Sequence, residues 1–289
     1  METTLAQKCI RLSNILFTTD FSESSEAALP FARAFARHYG ATLPLAHVER
    51  PEAYLLAPPE AIVVPFEEIR QFARTQMSQL SGRMKDVPHQ TVLGQGEIQD
   101  VLPEMIEKNK IDWIVLGTHG RTGLRKLLLG SVAEQILRLA TVPVLTVGPR
   151  IWHAAEEAMK LRDILCAAAC LPGTEQAVAY AFALAQEHQA HLTLLHVVES
   201  VAPVPPEEKW DFGKTFELLE EMIPPEADLW CDPELLVELG DPVEDVLAMA
   251  AGRGVDLIVQ GRGPADRCER AIAYKVACRA HCPVLTVPG

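Results

Sequence analysis

The sequence consists of two related halves, and this internal repeat limits the possible fold more than any other feature. Residues 14–49, NILFTTDFSESSEAALPFARAFARHYGATLPLAHVE, correspond to residues 163–199, DILCAAACLPGTEQAVAYAFALAQEHQAHLTLLHVVE. Residues 92–120 correspond in the same way to residues 238–263. Matching segments lie about 145 residues apart, which is the size of a whole domain and not of a solenoid repeat. The chain is therefore predicted to contain a duplicated domain.

Each half alternates short apolar runs with helical patterns. Apolar strands separated by crossover helices indicate a parallel sheet that is covered on both faces. We therefore expect an α/β fold with two tandem, doubly wound domains, over residues 1–149 and 160–289, joined by a linker at 150–159. The strands predicted for the first half are residues 14–19, 42–48, 89–93, 111–116 and 144–147.

The first helix is predicted at about Ser24–His38, and Gly40 provides a stop signal at its carboxyl end. Helical spacing places several small and aromatic side chains on one face, which we expect to be buried. These side chains are Ala28, Ala32, Phe35 and Ala36.

The charge of the chain restricts its partners. A formal net charge of −13 opposes nucleic acid and anionic membranes at long range, so we expect neither as a partner. No apolar run approaches the roughly 20 residues that span a bilayer, and the first residues do not follow a signal-peptide pattern. The seven cysteines are odd in number and irregularly spaced, which is typical of reduced thiols. We therefore expect a cytoplasmic protein.

A glycine-rich segment follows the fourth predicted strand, and its spacing indicates an anion-binding loop. Gly117 and Gly120 come first, and Gly130 and Ser131 follow after nine further residues. Ser131-Val-Ala-Glu134 has the form of a capping box, which predicts Ser131 as a helix N-cap. Free amides and the helix dipole at such a start favour phosphate, and a glycine lets an anion approach the backbone. Nearby basic residues add positive charge; they are Arg121, Arg125 and Lys126.

The same pattern, Gly-x2-Gly-x9-Gly-Ser, resembles the ATP-binding signature of the universal stress protein family. The segments NILFTTDFSESSEAAL and LPLAHV are similar to that family as well, and the resemblance covers nearly all of both halves. It implies a five-stranded parallel sheet of the Rossmann-like, adenine nucleotide α-hydrolase-like kind in each half. It also implies an ATP-binding regulator or sensor of stress, and domains that pair through their last strand, here 144–147.

The resemblance carries functional positions onto this chain. The end of strand one would contact the nucleoside, and the backbone of Val48 would read the adenine edge. The loop after strand four would lie beside the ribose and the α-phosphate, and the following helix start would hold the outer phosphates. The positions are Thr18, Thr19, Asp20, Val48, Leu116, Gly117, His119, Gly120, Gly130, Ser131, Val132 and Ala133.

The second half departs from this pattern. Ala169 takes the position of Asp20, and alignment backward from the shared proline places Arg270 and Ala271 where Gly130 and Ser131 stand. An arginine restores a bulky side chain, and an alanine cannot cap a helix. We therefore predict that only the first half binds ATP, and that the second half pairs with it inside the chain. A homodimer of the whole chain is a further expectation.

Several alternatives stay open from the sequence. Asp20 has two possible roles. It could serve local structure alone, as an Asx turn or a helix cap, or it could be a ligand beside Mg²⁺ or Mn²⁺ that bridges the phosphates. An ATP-using enzyme of the adenine nucleotide α-hydrolase type is another hypothesis, but such enzymes carry a Ser-Gly-Gly-x-Asp loop where this chain reads TTDFSES. A nucleotide-free pairing module is a third. We expect a protein that is not an enzyme, with slow hydrolysis of ATP left open.

Overall fold

The structure is a computed structural model, and contacts divide the chain into two compact units, one made of residues 12–126 and 130–159 and the other consisting mainly of residues 160–289. Each unit is described by itself and is called the first or the second domain. The structure describes residues 10–49, 65–118, 129–148, 151, 160–169, 174–199, 212–224, 227, 231–263 and 267–289.

The first domain is a parallel sheet with the strand order β3-β2-β1-β4-β5. All five predicted strands are present, which confirms the predicted α/β class for this half. The elements of its described residues are β1 Ile15–Thr18, α1 Glu23–Tyr39, β2 Leu43–Glu49, α2 Phe66–Gly82, β3 His89–Gln95, α3 Ile98–Lys108, β4 Trp113–Gly117, α4 Ser131–Leu139 and β5 Val144–Val147.

The second domain repeats the same order, β8-β7-β6-β9-β10, and its strands are again parallel. This confirms a tandem, doubly wound α/β architecture. The elements of its described residues are β6 Asp163–Ala167, α5 Glu175–His188, β7 His191–Glu199, α6 Phe212–Glu221, β8 Glu234–Gly240, α7 Pro242–Arg253, β9 Leu257–Gly261, α8 Arg267–Arg279 and β10 Val284–Val287.

Strand register fixes which residues of the two domains are equivalent. Ile15 of β1 lies opposite Trp113 of β4, and Ile164 of β6 lies opposite Leu257 of β9. Counting along each strand from these pairs makes Gly261 the equivalent of Gly117. The sequence-based alignment of the halves is therefore also a structural one.

The core of the first domain forms between the sheet and helices such as α1. The predicted buried face of α1 is confirmed, and Phe35 packs on the fully buried Trp113 with ring centroids 5.3 Å apart. Gly40 ends the helix with a left-handed φ of 63°, a conformation that glycine adopts without strain. This packing holds the carboxyl-terminal part of α1 against the amino end of β4.

Several cysteines of the second domain are buried free thiols. Cys166, Cys278 and Cys282 are buried, and burial raises the pKa of the Cys282 thiol to about 12. Among the described residues, no helix combines the length and the apolar character needed to cross a membrane.

Candidate functional site

A cavity of about 210 Å³ opens at the carboxyl end of the first sheet, where β1, β2 and β4 finish and α4 begins. This edge contains the switch in strand order, at which open α/β sheets bind ligands. The described residues lining the cavity are Thr18, Thr19, Asp20, Ser25, Ala46, His47, Val48, Ile98, Leu102, Met105, Leu116, Gly117, Gly130, Ser131, Val132, Ala133 and Ile136.

Every predicted site residue that the structure describes lines this one cavity. The fold thus brings together residues that lie more than a hundred positions apart in sequence, from Thr18 to Ala133. His119 and Gly120 lie outside the described residues, as do the basic residues Arg121, Arg125 and Lys126.

The start of α4 differs from the prediction by one residue. Gly130 is the N-cap, with extended backbone at φ −62° and ψ 143°, and its carbonyl accepts a hydrogen bond from Glu134 N at 2.9 Å. Ser131 is therefore the first helical residue, so the prediction of Ser131 as the N-cap is wrong. The reason is that the i to i+4 ladder already begins at the Gly130 carbonyl, which leaves no capping position for the Ser131 side chain.

The start of α4 nevertheless keeps an anion-binding geometry. Gly130 N donates to the Thr118 carbonyl at 2.9 Å, so this glycine contributes open space and not its own N–H. The amides of the next residues, Ser131, Val132 and Ala133, occupy the first turn, where a helix offers no acceptors of its own. Together with the helix dipole they provide N–H donors for a phosphate group.

The turn between β1 and α1 is held by its own polar side chains. Thr19 Oγ1 accepts from Phe21 N at 2.9 Å and lies 3.0 Å from Ser25 Oγ, and Asp20 Oδ1 accepts from Ser22 N at 3.0 Å. Asp20 therefore forms the Asx turn that was one of its two predicted roles, and it also lines the cavity. These bonds hold Phe21 at a left-handed φ of 62°.

His47 is a lining residue that the sequence-based set missed. Its Nδ1 donates to the Thr19 carbonyl at 2.8 Å, which ties the end of β2 to the end of β1. His196 makes the equivalent bond to the Ala168 carbonyl at 2.7 Å. Both halves repeat His-Val at this strand end, and that repetition was the signal for a shared structural role.

The apolar wall of the cavity was also missed. Ile98, Leu102 and Met105 lie on one face of α3, and Ile136 lies on α4. Their helical spacing was visible in the sequence, but it indicates a buried face without telling whether the face meets the core or a cavity. The wall supplies an apolar surface suited to a planar base.

Gly117 is also needed for helix packing, a role that its assignment as a ligand-binding residue did not include. A Cβ on this residue would lie 2.3 Å from the backbone carbonyl oxygen of Ser24 at the start of α1. The absence of a side chain therefore lets α1 approach β4 closely. The glycine serves packing at the same edge where it lines the cavity.

Comparisons with known proteins agree with this fold. A profile of the universal stress protein family matches residues 12–148 and again residues 160–288. A universal stress protein from Methanocaldococcus jannaschii is 28% identical over 155 residues, which cover 48% of this chain and 96% of that protein. Universal stress protein A homolog 1 from Coxiella burnetii is 36% identical over 137 residues, covering 46% of this chain and 94% of that protein. The crystal structure of a universal stress protein from Archaeoglobus fulgidus is similar in fold, with a TM-score of 0.72 at 19% identity over 96% of this chain and 99% of that chain.

Proposed function

The chain belongs to the universal stress protein family, and on that premise we propose that its first domain binds ATP and acts as a nucleotide-dependent regulator or sensor in a stress response. The observation that carries this proposal is the convergence of the first-turn amides of α4 with the ends of β1, β2 and β4 on one cavity.

The parts of the cavity suit different parts of ATP. The amides of Ser131, Val132 and Ala133 would hold the phosphates, because helix starts favour anions. The apolar wall of α3 and the backbone at Val48 would hold the adenine. The proposal includes Mg²⁺ or Mn²⁺ bridging the phosphates. The negative carboxylate of Asp20 would attract this cation and serve as an outer-shell ligand.

We propose binding without turnover as the main role. The side chains of the β1–α1 turn, Thr19 and Asp20, already bond to their own backbone neighbours. They therefore order the turn, whereas an enzyme of the adenine nucleotide α-hydrolase type would present a Ser-Gly-Gly-x-Asp loop there. A regulator of this kind would report whether nucleotide is bound.

The remaining parts of the proposal concern the surroundings of the chain. We propose that the two domains pair through their last strands, that whole chains form a homodimer, and that the protein works in the cytoplasm. A net charge of −13 supports the exclusion of nucleic acid and anionic membranes as partners.

Calorimetric titration of the full chain with ATP tests the central claim. We expect one ATP per chain, and we expect Gly130→Val to weaken binding about tenfold or more, the equivalent of a lost charge-assisted hydrogen bond. The extended backbone of Gly130 is one that valine also adopts, so the change obstructs the anion without straining the fold. Asp20→Ala should weaken binding less.

Arg270→Val is the matched control, because Arg270 is the equivalent of Gly130 in the second domain. It should leave ATP affinity unchanged. Absence of binding to the wild-type chain would refute the proposal and leave the nucleotide-free pairing module. Two bound ATP molecules would refute the restriction to the first domain, and rapid release of phosphate would establish the enzyme instead.

A further inference from the structure

The second domain has kept a cavity at the position that the candidate ATP site occupies in the first. It measures about 430 Å³, larger than the 210 Å³ of the first cavity, and lies where β6, β7 and β9 end. Sites for drug-sized molecules have volumes of about 300–1,000 Å³. Loss of the glycine-serine signature has therefore not closed the cavity.

The lining of this second cavity has lost the groups that would bind an anion. Ala167, Ala168 and Ala169 stand in the positions of Thr18, Thr19 and Asp20, so three methyl groups replace two hydroxyls and a carboxylate. No lysine or arginine is among the described lining residues. The carboxylate of Glu199, exposed at the edge of the cavity, opposes a negative charge.

The helix beside the cavity is already formed where the first domain has its helix start. Among the described residues, α8 includes Arg267, four residues before Ala271, whereas α4 begins at the equivalent residue Ser131. Residues 270 and 271 therefore lie within the helix, where the amide of residue 271 belongs to the helical hydrogen-bond ladder. The second domain does not present amides where the first domain offers them.

One polar group has been gained instead. Gln260 takes the position of Leu116, lines the cavity, and is only 3% exposed. Its Nε2 donates to the Ala273 carbonyl at 2.9 Å and to Thr286 Oγ1 at 3.0 Å. A carbonyl oxygen only accepts, so these bonds fix the orientation of the amide and leave Oε1 as its acceptor.

We propose that the second cavity binds an uncharged, largely apolar small molecule that donates a hydrogen bond to Gln260. The alanine, valine, leucine and isoleucine side chains that make up much of the lining favour apolar contact, and an anion would lose its hydration without a cationic partner among the described lining residues. Because Nε2 is already engaged, Oε1 is the atom of this amide that a ligand can use, and it accepts from an N–H or O–H donor. The proposal concerns the second domain alone and does not depend on ATP binding by the first.

A pair of probes that differ in charge tests this site. 1-Naphthylamine is uncharged at neutral pH and carries an N–H donor, while 1-naphthalenesulfonate has the same rings with a negative charge. In equilibrium dialysis of the full chain we expect the amine to bind once, and about tenfold or more tighter than the sulfonate, because the anion must be desolvated.

Matched variants locate the site. Val197 and Val48 are equivalent residues that line the second and first cavities. Val197→Trp should abolish binding of the amine by filling the cavity, and Val48→Trp should leave it unchanged. If circular dichroism shows Val197→Trp to be unfolded, Ala169→Phe replaces it. This second variant fills the same cavity from the residues that follow β6.

Gln260→Leu, which introduces the residue of the first domain, tests the hydrogen bond. It should remove the preference for 1-naphthylamine over naphthalene while leaving naphthalene affinity unchanged. Failure of the amine to bind, equal or tighter binding of the sulfonate, or loss of binding in Val48→Trp alone would each overturn the proposal. An unchanged preference in Gln260→Leu would overturn the role of the amide.

Discussion

Gly117 shows how a single residue of the first cavity can serve packing and ligand access together. Its missing side chain admits the Ser24 carbonyl of α1, and the same residue lines the cavity. The equivalent glycine in the second domain has a looser environment, since a Cβ on Gly261 would meet the Thr174 Cγ2 methyl at 3.0 Å. This contact is longer than the 2.3 Å at Gly117 and is made by a side-chain methyl group, whereas a backbone carbonyl at a helix start cannot easily shift.

We predict that Gly117→Ala destabilises the first domain by about 3 kcal/mol, because overpacking against fixed backbone forces α1 away from β4. Gly261→Ala is the matched control and should cost less than half as much. Urea unfolding followed by circular dichroism measures both. Equal losses in the two variants would show that the Ser24 contact is not what requires glycine at this position.

Residue types in the site were predictable where their chemistry depends on local sequence. Gly117, Gly130 and Ser131 could be identified from spacing and Asp20 from the family resemblance, and the structure places these four residues on one cavity. The bond from His47 to the Thr19 carbonyl could not be identified, because it joins residues on separate strands. The contact of Gly117 with Ser24 was hidden for the same reason, since it depends on how closely α1 packs.

At the scale of elements, the strands were easier to predict than the helix boundaries. Apolar runs such as Val144–Val147 are short and bounded by turn residues, so their positions are clear from sequence. The start of α4 was placed one residue late, since the Ser-x-x-Glu pattern does not show which carbonyl begins the ladder. That α8 is already helical at residues 270 and 271 could not be predicted, because the signature residues are absent from the second half.

The helices α7 and α8 of the second domain are joined by an ion pair that makes a pH prediction possible. Arg279 donates to both carboxylate oxygens of Glu244, at 2.6 and 2.8 Å. The hydrogen bonds from Arg279 hold the pKa of Glu244 below its usual value of 4.5. A lowered pKa in the folded state means that the pair stabilises above the unfolded pKa and that this stability is lost as the pH falls.

We predict that Glu244→Gln lowers the free energy of unfolding at pH 7 and makes it fall less steeply between about pH 5 and pH 3. Because the pair is exposed, the effect should shrink in 1 M salt. Urea titrations at several pH values measure it. Arg279→Gln should act in the same way, and the double variant should add little to either single one. Additive effects would contradict a direct pair.

At the scale of the whole molecule, the two domains share a strand order and differ in the chemistry of one sheet edge. Where β1 ends the first domain has two hydroxyls and a carboxylate beside open helix amides, and where β6 ends the second has three alanine methyl groups, with the buried amide of Gln260 on β9. We therefore propose that the two cavities, left by duplication within one acidic chain, favour different ligands. The pairing of strands into two parallel sheets was predictable from the repeat, but this division depends on side chains that only the fold brings together.

The division predicts that ATP will act on the two domains unequally. A ligand at 100 times its dissociation constant stabilises the state that binds it by about 2.7 kcal/mol. Hydrogen exchange with mass spectrometry should therefore show slower exchange in peptides from β1 and α4 when ATP saturates the chain. Peptides from α8, the equivalent helix of the second domain, provide the internal control and should exchange at unchanged rates. Equal protection of α4 and α8 would mean that the second domain also holds nucleotide. We expect the opposite, because the second cavity has three alanines where the first has Thr18, Thr19 and Asp20, and it offers the phosphates no first-turn amides to compensate for their lost hydration.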